Sequence, residues 1–132
     1  MSILKRIPFE EVSIAAHRIW TNKIISDKIA QEADQIISQA YKRKFIFFNG
    51  KSAKCIVGGL FYILGFRYDA VKKQRELADK LGTTDVTIRA SYKLWLETYP
   101  DLFEDVIEKL AQNEGLRYYI LVDLKQIRTK PR

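Results

Sequence analysis

The sequence predicts an all-α fold: a single five-helix domain containing a helix-turn-helix, followed by a C-terminal extension with one extra helix and a short strand. Three observations carry that expectation. Residues 74–99, QRELADKLGTTDVTIRASYKLWLETY, read as a short helix, a glycine turn and a second helix. Residues 55–66, CIVGGLFYILGF, are apolar on every side, as in a helix surrounded by other helices. The segments before them repeat their apolar residues every three or four positions.

The bulk composition suits one soluble domain. At 132 residues, with 47% apolar and 30% charged residues, the chain is long enough to bury a core without staples. The net charge of +7 comes from 23 basic and 16 acidic residues. That excess favours a polyanionic partner, nucleic acid before membrane, because no basic amphipathic segment stands apart from the helices. The one cysteine, Cys55, forms no internal disulfide and is expected as a buried thiol. MSILKRIPFEEV holds no signal-peptide core, and the longest uncharged apolar run falls short of the ~20 residues that cross a bilayer. The expected location is cytoplasmic, in association with the nucleoid.

Pro8 suits the first turn of a first helix, from Phe9 to about Thr21, with Val12, Ala16, Ile19 and Trp20 on its apolar face. His17, the only histidine, has no nearby ligand or nucleophile in sequence and reads as structural or surface. Ser26 or Asp27 can cap a second helix to about Lys42, with Ile29, Ala33, Ile36, Ile37 and Ala40 inward and Asp27, Glu32 and Asp34 outside. Lys42, Arg43 and Lys44 favour that helix's C-terminus, and Asn49-Gly50 signals a turn. Phe45, Phe47 and Phe48 between them are expected in the core, with a partner-binding patch as the alternative.

Ser52 caps the third helix, Ala53 to about Phe66. Gly58 and Gly59 each cost roughly 1 kcal/mol of helix propensity, so their role is expected to be close approach of a neighbour. Lys51 and Lys54 at its start are placed to hold a phosphate or simply to stay solvated. In the helix-turn-helix, Leu77, Ala78 and Leu81 share one face, and Gly82 ends the helix. Thr83, Thr84 or Asp85 can cap the next, whose inward stripe is Ile88, Tyr92, Trp95 and Tyr99. Val86, Arg89 and Lys93 lie off the stripe and face out, an apolar, a forked and a long cationic side chain suited to base edges and phosphates. An ordinary helical hairpin with a solvated basic face is the alternative. Pro100 breaks the chain, Leu102-Phe103 opens another helix to about Asn113, and alternation through Tyr118, Ile120, Val122 and Leu124 reads as a strand.

GKSAKCIVGGLFYI, KKQRELADKLGTTDVTIRASYKLW and YPDLF together resemble the second cyclin-box repeat of general transcription initiation factor IIB and archaeal transcription factor B. The likeness runs from about residue 9 to 103. It implies a cyclin-like domain over residues 1–103, with residues 104–132 an extension packed on it or mediating contacts. In that family a T-Q-[RK]-E-[IL]-A motif opens the fourth helix and D-V-T-I-R the fifth, which enters the major groove just upstream of the TATA box. The resemblance makes Val86 and Arg89 the base-reading residues and puts Thr84 and Thr87 beside phosphates. By position, Lys51, Lys54, Lys72, Lys73, Gln74 and Lys93 are backbone-contact candidates. Double-stranded DNA is the implied partner, with the TATA-binding protein beside it.

This sequence departs from the family at several points. Lys73 stands where the family often has threonine, removing a helix cap, and one cysteine cannot build the zinc ribbon that docks RNA polymerase. The expected function is therefore a DNA-binding transcription initiation or regulatory protein that acts as an accessory factor or a competitor of the full-length factor. Two alternatives remain: a cyclin-like adaptor that binds protein without reading DNA, and a dimeric helix-turn-helix repressor. Enzymatic activity, cofactors and metals are not expected, since the chain has one histidine, one cysteine, no phosphate-cradling glycine loop and no metal-ligand spacing.

Overall fold

The computed structural model describes residues 7–44 and 50–114. In chain order the helices are α1 (Phe9–Ile19), α2 (Lys23–Lys44), α3 (Ala53–Arg67), α4 (Gln74–Leu81), α5 (Asp85–Thr98) and α6 (Ile107–Glu114), with a 3₁₀ turn at Pro100–Leu102 before α6. Among the described residues every element is helical. The segment Phe45–Phe48 and the alternating tail through Leu124 lie outside them.

α3 is the axis of the fold. Every residue from Ile56 to Phe66 is buried, and α2, α4, α5 and α6 all pack on it. Ser52 caps it through a bond accepted from the Cys55 amide at 3.1 Å. Its C-terminus closes with Asp69 in the left-handed region at φ 53° and with the Ala70 N–H donated to Gly65 O at 2.8 Å. That double turn satisfies the last carbonyls, but a non-glycine residue carries the positive φ.

α1 packs on α2, and α2 in turn packs on α3. Val12, Ala16, Ile19, Ile29, Ala33, Ile37 and Ala40 are all buried, as their spacing predicts. α1 ends at Ile19, so Trp20 leaves the helix in an extended conformation. It stacks edge-on against Phe61 and donates its Nε1–H to Ala70 O at 2.8 Å. His17 links the pair, with its ring nitrogens 2.7 Å from Ser13 O and 2.8 Å from Asp27 Oδ1.

Four expectations give way here. α2 begins at Lys23, not after Ser26 or Asp27. Asn22 caps it by accepting from the Ile25 amide at 3.1 Å, which frees Ser26 to be fully buried with its hydroxyl donating to Lys23 O. Glu32 does not stay outside, because Arg67 and Tyr68 both donate to its carboxylate. Cys55 is only partly buried. The helix expected from Leu102-Phe103 starts at Ile107, after the 3₁₀ turn and a further bend at 104–106.

Arg67 ties the C-terminal segment to the body. Beyond Glu32 of α2, its guanidinium donates to Asp105 at 2.6 and 2.8 Å and to Leu102 O at 2.7 Å, and it lies 5.9 Å from the Phe103 ring centre. Phe103, Val106, Ile107 and Leu110 join the same core. A second tie, Arg43 to Asp101, is bidentate at 3.0 and 3.2 Å. None of the described helices is long and apolar enough to cross a membrane.

Candidate nucleic-acid interface

The helix-turn-helix forms as its sequence dictates. α4 is eight residues long and buries Leu77, Ala78 and Leu81. Gly82 follows at φ 72°, ψ 40°, a conformation that costs a residue with a Cβ about 1–2 kcal/mol. The Thr83 amide then returns to Ala78 O at 2.9 Å. Of the three candidate caps for α5 it is Thr84 that serves, accepting from the Thr87 amide at 3.2 Å. The two hydroxyls also meet at 3.0 Å, so Thr84 and Thr87 present paired polar groups at the start of the helix.

One face of α5 is anchored on α3. Ile88, Tyr92, Trp95 and Tyr99 are all buried, together with Ser91 and Leu96. The anchoring is polar as well as apolar. Ser91 donates its hydroxyl to Cys55 O at 2.5 Å, and Trp95 donates Nε1–H to Ile56 O at 2.9 Å. Gly58 and Gly59 make room: a Cβ on Gly58 would meet Ile88 Cδ1 at 2.5 Å. Ser91 carried no helical-stripe signal in the sequence, because a serine counts as polar wherever it falls.

The opposite face is open. Val86 is 64% exposed, high for a valine. The Arg89 side chain is 45% exposed and lies 3.9 Å from Asp85, one turn earlier. Lys93 follows on the same side, partly exposed. Burial pushes the Tyr92 phenol above its ordinary value, with the Arg89 charge offsetting part of the rise. The result is a rigid helix whose first turns offer an apolar surface, a guanidinium fork and two hydroxyls to solvent.

The other candidates fall into two places. Lys54, on the first turn of α3, reaches the helix-turn-helix itself: its Nζ is 3.3 Å from where a Cβ on Gly82 would lie. Lys51, partly exposed, precedes the Ser52 cap of the same helix. Lys72, Lys73 and Gln74 sit at the far end of α4, about 12 Å from the turn for an eight-residue helix. Lys73 occupies the N-cap position of α4 without a side-chain cap bond, and Lys72 pairs with Glu76 at 3.7 Å. Two further exposed cations of α4, Arg75 and Lys80, were outside the sequence expectation. Among the described residues no group of acidic, histidine or cysteine side chains could hold a metal.

The family model described as "Transcription factor TFIIB repeat" matches residues 10–98. Transcription initiation factor IIB of Pyrococcus furiosus is 34% identical over 73 residues, 55% of this chain and 24% of that protein. Transcription initiation factor IIB 1 of Thermococcus kodakarensis is 33% identical over 73 residues, with the same coverage. The chain thus spans about a quarter of the length of the curated relatives it matches. No solved structure matches it significantly.

Proposed function

We propose that this chain, which belongs to the transcription factor TFIIB repeat family, binds promoter-like double-stranded DNA and reads base edges with Val86 and Arg89. A role connected with transcription initiation follows from the family. The finer reading rests on one observation: α5 is fixed by its inner face, and the side chains left exposed on its first turns are of the kinds that read a major groove. Arg89 would donate in bidentate fashion to guanine O6 and N7, and Val86 would lie against a thymine methyl. Thr84 and Thr87, with Lys54 over the turn and Lys93 further along, would meet phosphates. Lys51, Lys72, Lys73 and Gln74 would extend that contact. Acting by itself, one such repeat would occupy promoter DNA as an accessory factor or as a competitor of a full-length factor, beside the TATA-binding protein.

The test is a binding titration on duplex DNA carrying a TATA element and its upstream flank, with and without the TATA-binding protein, at two salt concentrations. Wild type is expected to prefer this duplex over scrambled DNA. Arg89→Ala should lose that preference, at a cost of about 1–3 kcal/mol in discrimination, while keeping its salt slope. Absence of selectivity in both conditions would overturn the reading and leave the adaptor in its place.

A further inference from the structure

We infer that Asp85 is a specificity-determining residue of this interface, acting by positioning Arg89 and by weakening sequence-blind binding. The inference rests on the DNA-reading proposal for α5. Asp85 is the first residue of α5 and the only carboxylate in its first two turns. An acidic residue in the first turn is favoured by the helix N-terminus itself, but the capping bond is made by Thr84, which accepts from the Thr87 amide, so the Asp85 carboxylate is not committed to the cap. Its partner is Arg89, at 3.9 Å from Asp85 Oδ2.

Both side chains are about two-fifths exposed, 45% for Arg89 and 39% for Asp85, so the pair contributes little to folding. Its effect falls on binding instead. A free arginine loses much rotamer freedom when it engages a base, and a guanidinium already held along the helix loses less. The carboxylate also faces whatever Arg89 faces. Against a phosphate it is repelled, which penalises every register in which α5 merely lies on the backbone. Against a base edge, which carries no net charge, the penalty is smaller. Asp85 therefore lowers affinity for arbitrary DNA more than affinity for a sequence that satisfies Arg89.

Asp85→Asn keeps the shape and removes the charge. The experiment is selection from a randomised duplex pool, with affinities for the selected and a scrambled duplex, on wild type, Asp85→Asn, Arg89→Ala and the double variant, plus thermal melting of each. Asp85→Asn is expected to bind scrambled duplex more tightly and to lower the selected-to-scrambled ratio roughly tenfold, with a melting temperature lowered by at most a few degrees. In the Arg89→Ala background the same substitution should leave base preference untouched. If Arg89→Ala abolishes selection but Asp85→Asn selects and binds like wild type, the inference falls while the DNA-reading proposal stands. If Asp85→Asn only melts earlier, its role is helix stability and the inference is overturned. A wild type that selects nothing overturns both.

Discussion

A Cβ built on Gly59 would lie 2.5 Å from the backbone nitrogen of Tyr92. Two helix backbones touch there, and neither can yield without moving the helix. At Gly58, by contrast, the obstruction is the tip of Ile88, which can change rotamer. Gly59→Ala should therefore cost about 3 kcal/mol or more, the upper range for overpacking, whereas Gly58→Ala should stay within about 1 kcal/mol because gained helix propensity offsets the squeeze. Urea midpoints of the two variants check the contrast.

Removal of Arg67 strips donors from Glu32, Asp105 and the Leu102 carbonyl at once. Arg67→Met is expected to lose about 2–4 kcal/mol, mainly by leaving the mostly buried Glu32 carboxylate without a compensating cation, although the Tyr68 hydroxyl still donates to it. Adding Glu32→Gln to that variant should recover part of the loss. Equilibrium unfolding of the single and double variants measures it.

The same cluster predicts the pH dependence. A hydrogen bond from Arg67 holds the Asp105 carboxyl below its ordinary range, against the opposing effect of burial. Its stabilising contribution is complete above the unfolded value, about 4, and disappears as pH falls through the lower folded value. Burial, reinforced by the bond to Glu32, pushes the Tyr68 phenol up to about 12. That contribution is complete below about 10 and is lost as pH rises from there through the folded value. Asp105→Asn should flatten the acid limb of melting temperature against pH, and Tyr68→Phe the alkaline limb.

Asp69 holds a left-handed conformation that its side chain only tolerates. Its ion pair with Lys109, at 3.8 Å, involves a carboxylate 90% exposed and adds little. Asp69→Gly should stabilise the protein by roughly 0.5–1 kcal/mol, a rise of a few degrees in melting temperature for a domain of this size. A thermal scan suffices.

Lys54 should contribute to DNA affinity without contributing to sequence preference. Lys54→Ala is expected to weaken binding to all duplexes alike and to reduce the slope of log affinity against log salt by about one unit. Titration at several salt concentrations would show it.

The helix-turn-helix was legible because its signals are local. Gly82, the small Ala78 and the stripe from Ile88 to Tyr99 lie within 22 residues and need no knowledge of the rest of the chain. The outward position of Val86 and Arg89 followed from the same periodicity. The α2 start was misread because Ser26 and Asp27 are good caps in isolation, while Asn22 is an equally good one just upstream. Only the packing that buries Ser26 decides between them. Arg67 was invisible for a different reason: its partners stand 35 and 38 residues away, and nothing in its neighbourhood marks an arginine that joins three segments.

The way α5 is held has a consequence for how such a surface can change. Its attachments to α3 run through Ser91 and Trp95 to main-chain carbonyls, and through Ile88 and Tyr92 to glycine-made space. Positions 86, 89, 90 and 93 take no part in any of them. The vocabulary of the outward face is therefore separable from the grammar that fixes the helix. A library diversified at those four positions, with proline left out, should fold in nearly every member, so the outward face can be varied without disturbing the helix that carries it.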